Sequence, residues 1–220
     1  GYKGYPDLKI SITEAVARAS AHEPPPAPGG DGDAALADAL WRSKAAAARE
    51  TRDLAGPAAI AEMSRGLAEA EMLFVAGDGV DGEAARSLVG RMTLLGRRAI
   101  AQRQPQDLLA SLSAAKRGDT LLVISGHGDG SEWLRACREM KQAGGRIVVV
   151  TRRVGKLSAA ADACLLVSAH DPQPHVEDLV YEAALRHLLD DLFLRMVAAD
   201  PRALENVTAN RKRIRSEPDG

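Results

Sequence analysis

The chain reads as an α/β protein, a three-layer αβα sandwich around a parallel sheet of five strands, preceded by helices. Three observations lead there. From residue 72 onward, short apolar runs recur, each followed by a turn and then an amphipathic stretch of helical period, the alternation expected of a parallel sheet with helical crossovers. The apolar runs are continuous and not alternating, which fits strands covered by helices on both faces. Composition agrees: 45% of residues are hydrophobic but only 3% are aromatic, so the interior is built from Ala, Leu and Val.

The strand candidates are Met72 to Ala76, Arg98 to Ala101, Thr120 to Ile124, Ile147 to Val150 and Ala163 to Val167. Helices are expected between them at about Gly82 to Leu95, Pro105 to Ala115 and Ser131 to Gln142. Upstream, residues 1–20 form a compact unit in which Pro6 stands near a helix start and Asp7 falls in the first turn, where its charge suits the helix dipole. Residues 21–32, AHEPPPAPGGDG, read as a linker, because prolines, glycines and acids bury no apolar area. A helix from Asp33 to about Leu54, with Leu36, Leu40 and Trp41 on one face, is ended by Gly56-Pro57, and a second runs from Pro57 to Ala70. Two long helices close the chain, at about Val176 to Ala199 and Pro201 to Ile214. The first carries a broad apolar face, Val176, Leu179, Val180, Ala183, Leu188, Leu192, Phe193 and Met196, wide enough for a partner subunit as well as the core.

Charge and cysteine usage exclude several classes. With 29 Lys plus Arg against 30 Asp plus Glu the formal charge is −1, which leaves no global basic excess for nucleic acid or an anionic membrane. Cys137 and Cys164 are far apart, in apolar surroundings, without the spacing of zinc ligands or a disulfide framework, and a reducing cytoplasm is the simplest setting. No apolar run reaches the roughly 18 residues of a membrane span. Trp41 and Trp133 are expected to pack, His170 and His175 to be solvated loop residues or a lid over the pocket or of a neighbouring subunit, His187 to be at the surface or an interface, and the run Arg211-Lys212-Arg213-Ile214-Arg215 to favour a helix C-terminus.

Open parallel sheets bind ligands beyond the carboxyl ends of their strands. Two glycine loops fall there: Gly77-Asp78-Gly79-Val80-Asp81-Gly82 and Ser125-Gly126-His127-Gly128-Asp129-Gly130. The expected ligand-binding residues are Gly79, Val80, Asp81, Ser125, Gly126, His127, Gly128, Asp129 and Gly130, with no catalytic residue and no cofactor. The spacing Gly77-x-Gly79-x-x-Gly82 satisfies the dinucleotide fingerprint, but the next strand ends in Ala101-Gln102-Arg103, without the acid that would hold an adenine ribose.

The stretch from Ala58 to about Ser168 resembles a sugar isomerase (SIS) domain, with its five-stranded, flavodoxin-like parallel sheet. The resemblance is carried by Gly77-x-Gly79, by Leu94-Leu95-Gly96-Arg97-Arg98, and by Gly118-Asp119 through Ser125 with Gly128 and Glu132. It continues in Gly144-Gly145 through Thr151 and in Leu157 through Asp162. Gly1-Tyr2-Lys3-Gly4-Tyr5-Pro6-Asp7-Leu8-Lys9 is similar to the stretch after the recognition helix of MurR/RpiR regulators, in which a helix-turn-helix domain precedes a linker helix and a sugar-phosphate-sensing SIS domain. Beginning at Gly1 and not Met, the chain reads as a fragment or processed form, with most of the DNA-reading domain upstream. The resemblance implies residues 1–20 as a helix-turn-helix remnant, 21–32 as linker, 33–56 as linker helix and 57–216 as SIS domain. It further implies a non-enzymatic, cytoplasmic, homodimeric or homotetrameric sensor of a sugar-related effector. DNA would be reached only through the missing region, and no membrane is involved.

In SIS domains a Ser in the first loop and a Ser-x-Ser-Gly-x-Thr run in the second hold the phosphate. Here Asp81 takes the first-loop Ser position, Ser125 and Gly128 keep the second pattern, and His127 and Gly130 replace its second Ser and its Thr. Four readings stay open: a ligand other than a phosphosugar, favoured by Asp81 and Asp129; a metal held by Asp81, His127 and Asp129; a conventional phosphosugar; or a pocket without ligand in a dimerising domain. An isomerase would need a general base, for which Glu132, Glu177, His127 and His175 are available.

Overall fold

The computed structural model describes residues 32–128, 130–171 and 173–215. The expected remnant and linker at residues 1–31 lie outside them. In chain order the elements are α1 (Gly32–Ala55), α2 (Pro57–Glu69), β1 (Leu73–Ala76), α3 (Gly79–Leu94), β2 (Ala99–Gln102), α4 (Pro105–Leu112), β3 (Thr120–Ser125), α5 (Ser131–Gln142), β4 (Arg146–Thr151), α6 (Lys156–Ala160), β5 (Ala163–Leu166), α7 (Pro174–Ala199) and α8 (Pro201–Arg215).

The five strands form one sheet in the order β2-β1-β3-β4-β5. Register is set by parallel pairs such as Ala76 with Gln102, Leu73 with Thr120, and Ser125 with Thr151. β1 and β3 are buried at every position and β4 at all but Arg146, whereas the edge strand β2 is half-buried throughout. The continuous apolar runs therefore mark the central strands, as strands covered on both faces require.

Alternation along the strands divides the core in two. Phe74, Ala76, Leu121, Val123, Ile147 and Val149 form one layer with Leu108 and Leu112 of α4, Trp133, Cys137 and Met140 of α5, and Leu157 of α6. On the opposite face α3 lies across β1, β2 and β3 and buries Ala85, Leu88 and Met92. The terminal carbonyls of α3 need partners. Asn206 and Asn210 of α8 supply them, donating to the Leu95 and Leu94 carbonyls at 3.3 and 3.0 Å. The Ser64 hydroxyl of α2 donates to the Leu192 carbonyl of α7 at 2.9 Å, and Arg97 pairs with Asp200 at 3.1 Å.

The chain divides into two compact units, one of residues 57–165 and 189 onward, the other of α1 through Gly56 with Leu166–Leu188. Within the second, α1 is fastened to the segment leading into α7. The Ser168 amide donates to Thr51 Oγ1 at 2.9 Å, the Ser168 hydroxyl to Glu50 at 2.6 Å, and the Ser43 hydroxyl to Asp171 at 3.4 Å. Among the described residues no helix is long and apolar enough to cross a membrane.

Three details differ from expectation. Trp41 does not pack: it is 70% exposed, and so is Leu36 at 67%. The covered stripe of α1 runs through Leu40, Lys44, Ala47 and Thr51, and Trp41 falls a residue round from it. α3 begins at Gly79, not Gly82, because the Gly82 amide already donates to the Asp78 carbonyl at 2.9 Å. This places Asp81 in the first helical turn. α6 was not anticipated; the Ser158 hydroxyl opens it by accepting from the Gly155 amide at 2.9 Å.

Two measurements check this core. Leu122→Ala, at a fully buried position of the central strand, is expected to cost about 3 kcal/mol in urea unfolding at unchanged helix content. Burial pushes the Cys137 thiol up to about 11 and the Cys164 thiol up to about 12. A thiol reagent at pH 8 should therefore leave both cysteines unmodified in the folded chain and react with both in urea.

Candidate functional site

Parallel pairing brings the carboxyl ends of β1, β2, β3 and β4 to one edge of the sheet, and the loops that leave them form the candidate site. The first loop leaves β1 at Ala76 and turns into α3 within three residues. Gly79 makes that turn at φ +48°, in open space. Val80 is 47% exposed, whereas Asp81 is only 6% exposed. The Asp81 carboxylate accepts a hydrogen bond from the Gly126 amide at 2.8 Å, so the first and second loops are joined directly through this side chain.

The second loop leaves β3 at Ser125, which is buried opposite Thr151 of β4. The Gly128 amide donates back to the Ser125 carbonyl at 3.3 Å, and the Gly128 carbonyl accepts from Leu157 at 3.4 Å. Gly128 is fixed by two constraints: its φ is +70°, and a Cβ there would stand 2.5 Å from the Arg153 carbonyl oxygen. Only glycine meets both without displacing backbone. Gly130 lies against Leu157 and Trp133, and His127 is exposed.

Of the residues expected from sequence, the structure thus unites Asp81 with Gly126 and packs Ser125, Gly128 and Gly130 beneath the loop surface. Gly79, Val80 and His127 remain on that surface. Asp129 lies outside the described residues. Among the described residues no group of three His, Cys, Asp or Glu side chains is placed to hold a metal ion.

Two residues join the site that the sequence reading did not select. Arg103, one residue past β2, crosses the first loop: its Cγ and Nε come within 3.2 Å of where a Gly82 Cβ would be. It pairs with Glu83 at 3.2 Å, and Glu83 also binds Arg86. The Arg86 hydrogen bond, with smaller contributions from the charges of Arg86 and Arg103, holds the Glu83 carboxyl below the usual carboxylate range. The group is open to solvent, so the pairing orients the side chains more than it stabilises the fold. Arg153 contributes through its backbone, its amide meeting Thr151 Oγ1 at 3.3 Å and its carbonyl meeting Gly128. The position of Arg103 was readable from its place directly after a parallel strand; the role of the Arg153 carbonyl has no side-chain signature. Two grooves of about 590 and 500 Å³ lie elsewhere in the same unit, around Ser64, Met196 and Ala199, and around Gly96, Pro201 and Asn206.

A five-stranded parallel sheet flanked by helices is the fold the SIS resemblance implies, and the SIS domain profile matches residues 66–187, more than half of the chain. The chain belongs to the SIS domain family. Its similarity extends beyond the SIS segment. It is 28% identical over 207 residues to the HTH-type transcriptional regulator YfhH of Escherichia coli, a match covering 91% of this chain and 73% of that protein.

Solved structures share the SIS fold. The NanR protein of Vibrio vulnificus, complexed with ManNAc-6P, matches with a TM-score of 0.75 at 19% identity, over 97% of this chain and 76% of that one. The sugar isomerase domain of an RpiR transcription factor from Sphaerobacter thermophilus matches at 0.72 and 17% identity, covering 80% and 98%. A putative sugar-phosphate isomerase from Listeria monocytogenes matches at 0.72 and 23% identity, covering 84% and 100%. The fold is thus common to regulators and to isomerase-like proteins, and the sequence similarity supports the regulator reading.

The two loop glycines of this SIS domain should respond differently to a methyl group. Gly128→Ala combines backbone strain with a clash against a carbonyl and is expected to lose about 2–3 kcal/mol in chemical denaturation. Gly79→Ala, strained but unobstructed, should lose about 1 kcal/mol. Equal losses would show that the Arg153 contact does not constrain the second loop.

Proposed function

We propose that this chain is the effector-sensing and dimerising part of a bacterial transcriptional regulator, and that the joined loops at residues 77–82 and 125–130 receive a small, sugar-related metabolite. The observation that carries this reading is the similarity to an HTH-type regulator over 91% of the chain. A shared catalytic domain alone would confine the match to the SIS segment, residues 66–187. α1, which precedes the SIS segment, suits a connecting role. Its last turns are anchored by Thr51 and Glu50 to Ser168, while Trp41 and Leu36 remain exposed for another surface.

The mechanism is a shift of population. Effector in the loops favours one arrangement of the homodimer, and α1 carries that preference towards a DNA-binding head. DNA contact belongs to the helix-turn-helix region, and the setting is the cytoplasm. No catalytic step is required of the loops, where the acid–base candidates His127 and Glu132 are exposed.

Thermal-shift screening of sugars, amino sugars and sugar phosphates, followed by mobility-shift assays on the regulator with its helix-turn-helix intact, tests the reading. A compound that raises the melting temperature is expected to change operator affinity, and aldose and ketose phosphates should not be interconverted by the purified chain. Clear isomerisation, or operator affinity indifferent to every stabilising compound, would overturn it.

A further inference from the structure

The amide of Gly126 stands at the end of β3, at the edge where a loop presents backbone donors to an incoming ligand. It already has an anionic partner. The Asp81 carboxylate, 94% buried by virtue of its 6% exposure, accepts from it at 2.8 Å. Asp81 belongs to the first turn of α3, a helix of 16 residues, so its charge also sits at the positive end of that helix dipole. One feature that draws an external anion to such an edge, a backbone N–H, is thus engaged by a side chain of the chain itself, and the charge of that side chain lies in the first turn of α3.

The charges around the first loop do not reverse the sign there. Of the described residues around the first loop, Asp78, Asp81 and Glu83 oppose Arg86 and Arg103, which leaves a net negative charge, and both arginines are held by Glu83. A phosphate brought to the Gly126 amide would displace the Asp81 carboxylate from that donor or share the donor with it, and in either case would face a largely desolvated carboxylate. Hydroxyl and ammonium groups meet no such opposition, because each donates to a carboxylate.

We infer that Asp81 is an internal anion that occupies the phosphate subsite of the joined loops and sets their specificity: the ligand end that enters here is an unphosphorylated polyol or amine, and phosphate is rejected. This rests on the proposed effector site and narrows its ligand class.

The test uses the full chain and two variants, Asp81→Ser and Asp81→Asn, with folding checked by circular dichroism. The second, close to isosteric, keeps the test valid should the first fail to fold. Inorganic phosphate and a hexose 6-phosphate, against the same hexose and its 2-amino derivative, are titrated by calorimetry. The native chain is expected to bind neither phosphate, and at least one variant to gain affinity for both by roughly tenfold or more. Native binding of hexose 6-phosphate as tight as that of the variants overturns the inference while leaving the sensor reading intact. Folded variants that gain no phosphate affinity overturn it too. Gain of phosphate affinity by a variant, with no native binding of hexose or amino sugar, supports the role of Asp81 and counts against a sugar-related effector.

Discussion

Every feature of the candidate site depends on one constraint: β1, β3 and β4 are buried on both faces. A strand so placed has to pair on both sides and be covered above and below, so each connection runs through a helix and returns in the same direction. Direction then decides where the loops go. All the turns from strand to helix gather at one end of the sheet, and the Gly77–Gly82 and Ser125–Gly130 loops become neighbours although 42 residues lie between Gly82 and Ser125. The hydrogen bond from Gly126 to Asp81 is local in space only because the parallel register of β1 with β3 makes it so.

The fold was legible in the sequence because its signals are repetitive and apolar. Leu121-Leu122-Val123-Ile124 and Ile147-Val148-Val149-Val150 have no polar side to offer solvent, and the structure buries all eight residues. Boundaries that depend on hydrogen bonding were harder to read. α6 owes its start to one serine hydroxyl, and α3 starts three residues early because Asp78 accepts from the Gly82 amide. Trp41 shows the converse limit: an aromatic residue in an Ala-rich helix was expected inside, yet the burial stripe of α1 passes beside it.

The candidate site was legible in its residue types and not in its contacts. Glycines at 79 and 128 announced tight turns, and both adopt positive φ. Asp81 was singled out as an unusual charge in a loop of that kind, but sequence spacing does not show whether it faces solvent, a ligand or another loop. Its partner proved to be a backbone amide 45 residues away, which carries no side-chain signal. The same holds for the Arg153 carbonyl. Backbone groups build much of this edge, and they are the part of a protein that a sequence describes least.

α3 is gripped at both ends by groups outside itself. Asp81 ties its first turn to the second loop, and Asn206 and Asn210 of α8 hold the carbonyls at its last turn. At 16 residues, with about 1.5 Å of rise for each, the helix spans roughly 24 Å between those grips. It therefore behaves as a strut with pinned ends. Release of the Gly126 to Asp81 hydrogen bond would free the near pin, and a rigid helix would pass that displacement to its far end, where Asn206 and Asn210 hold it.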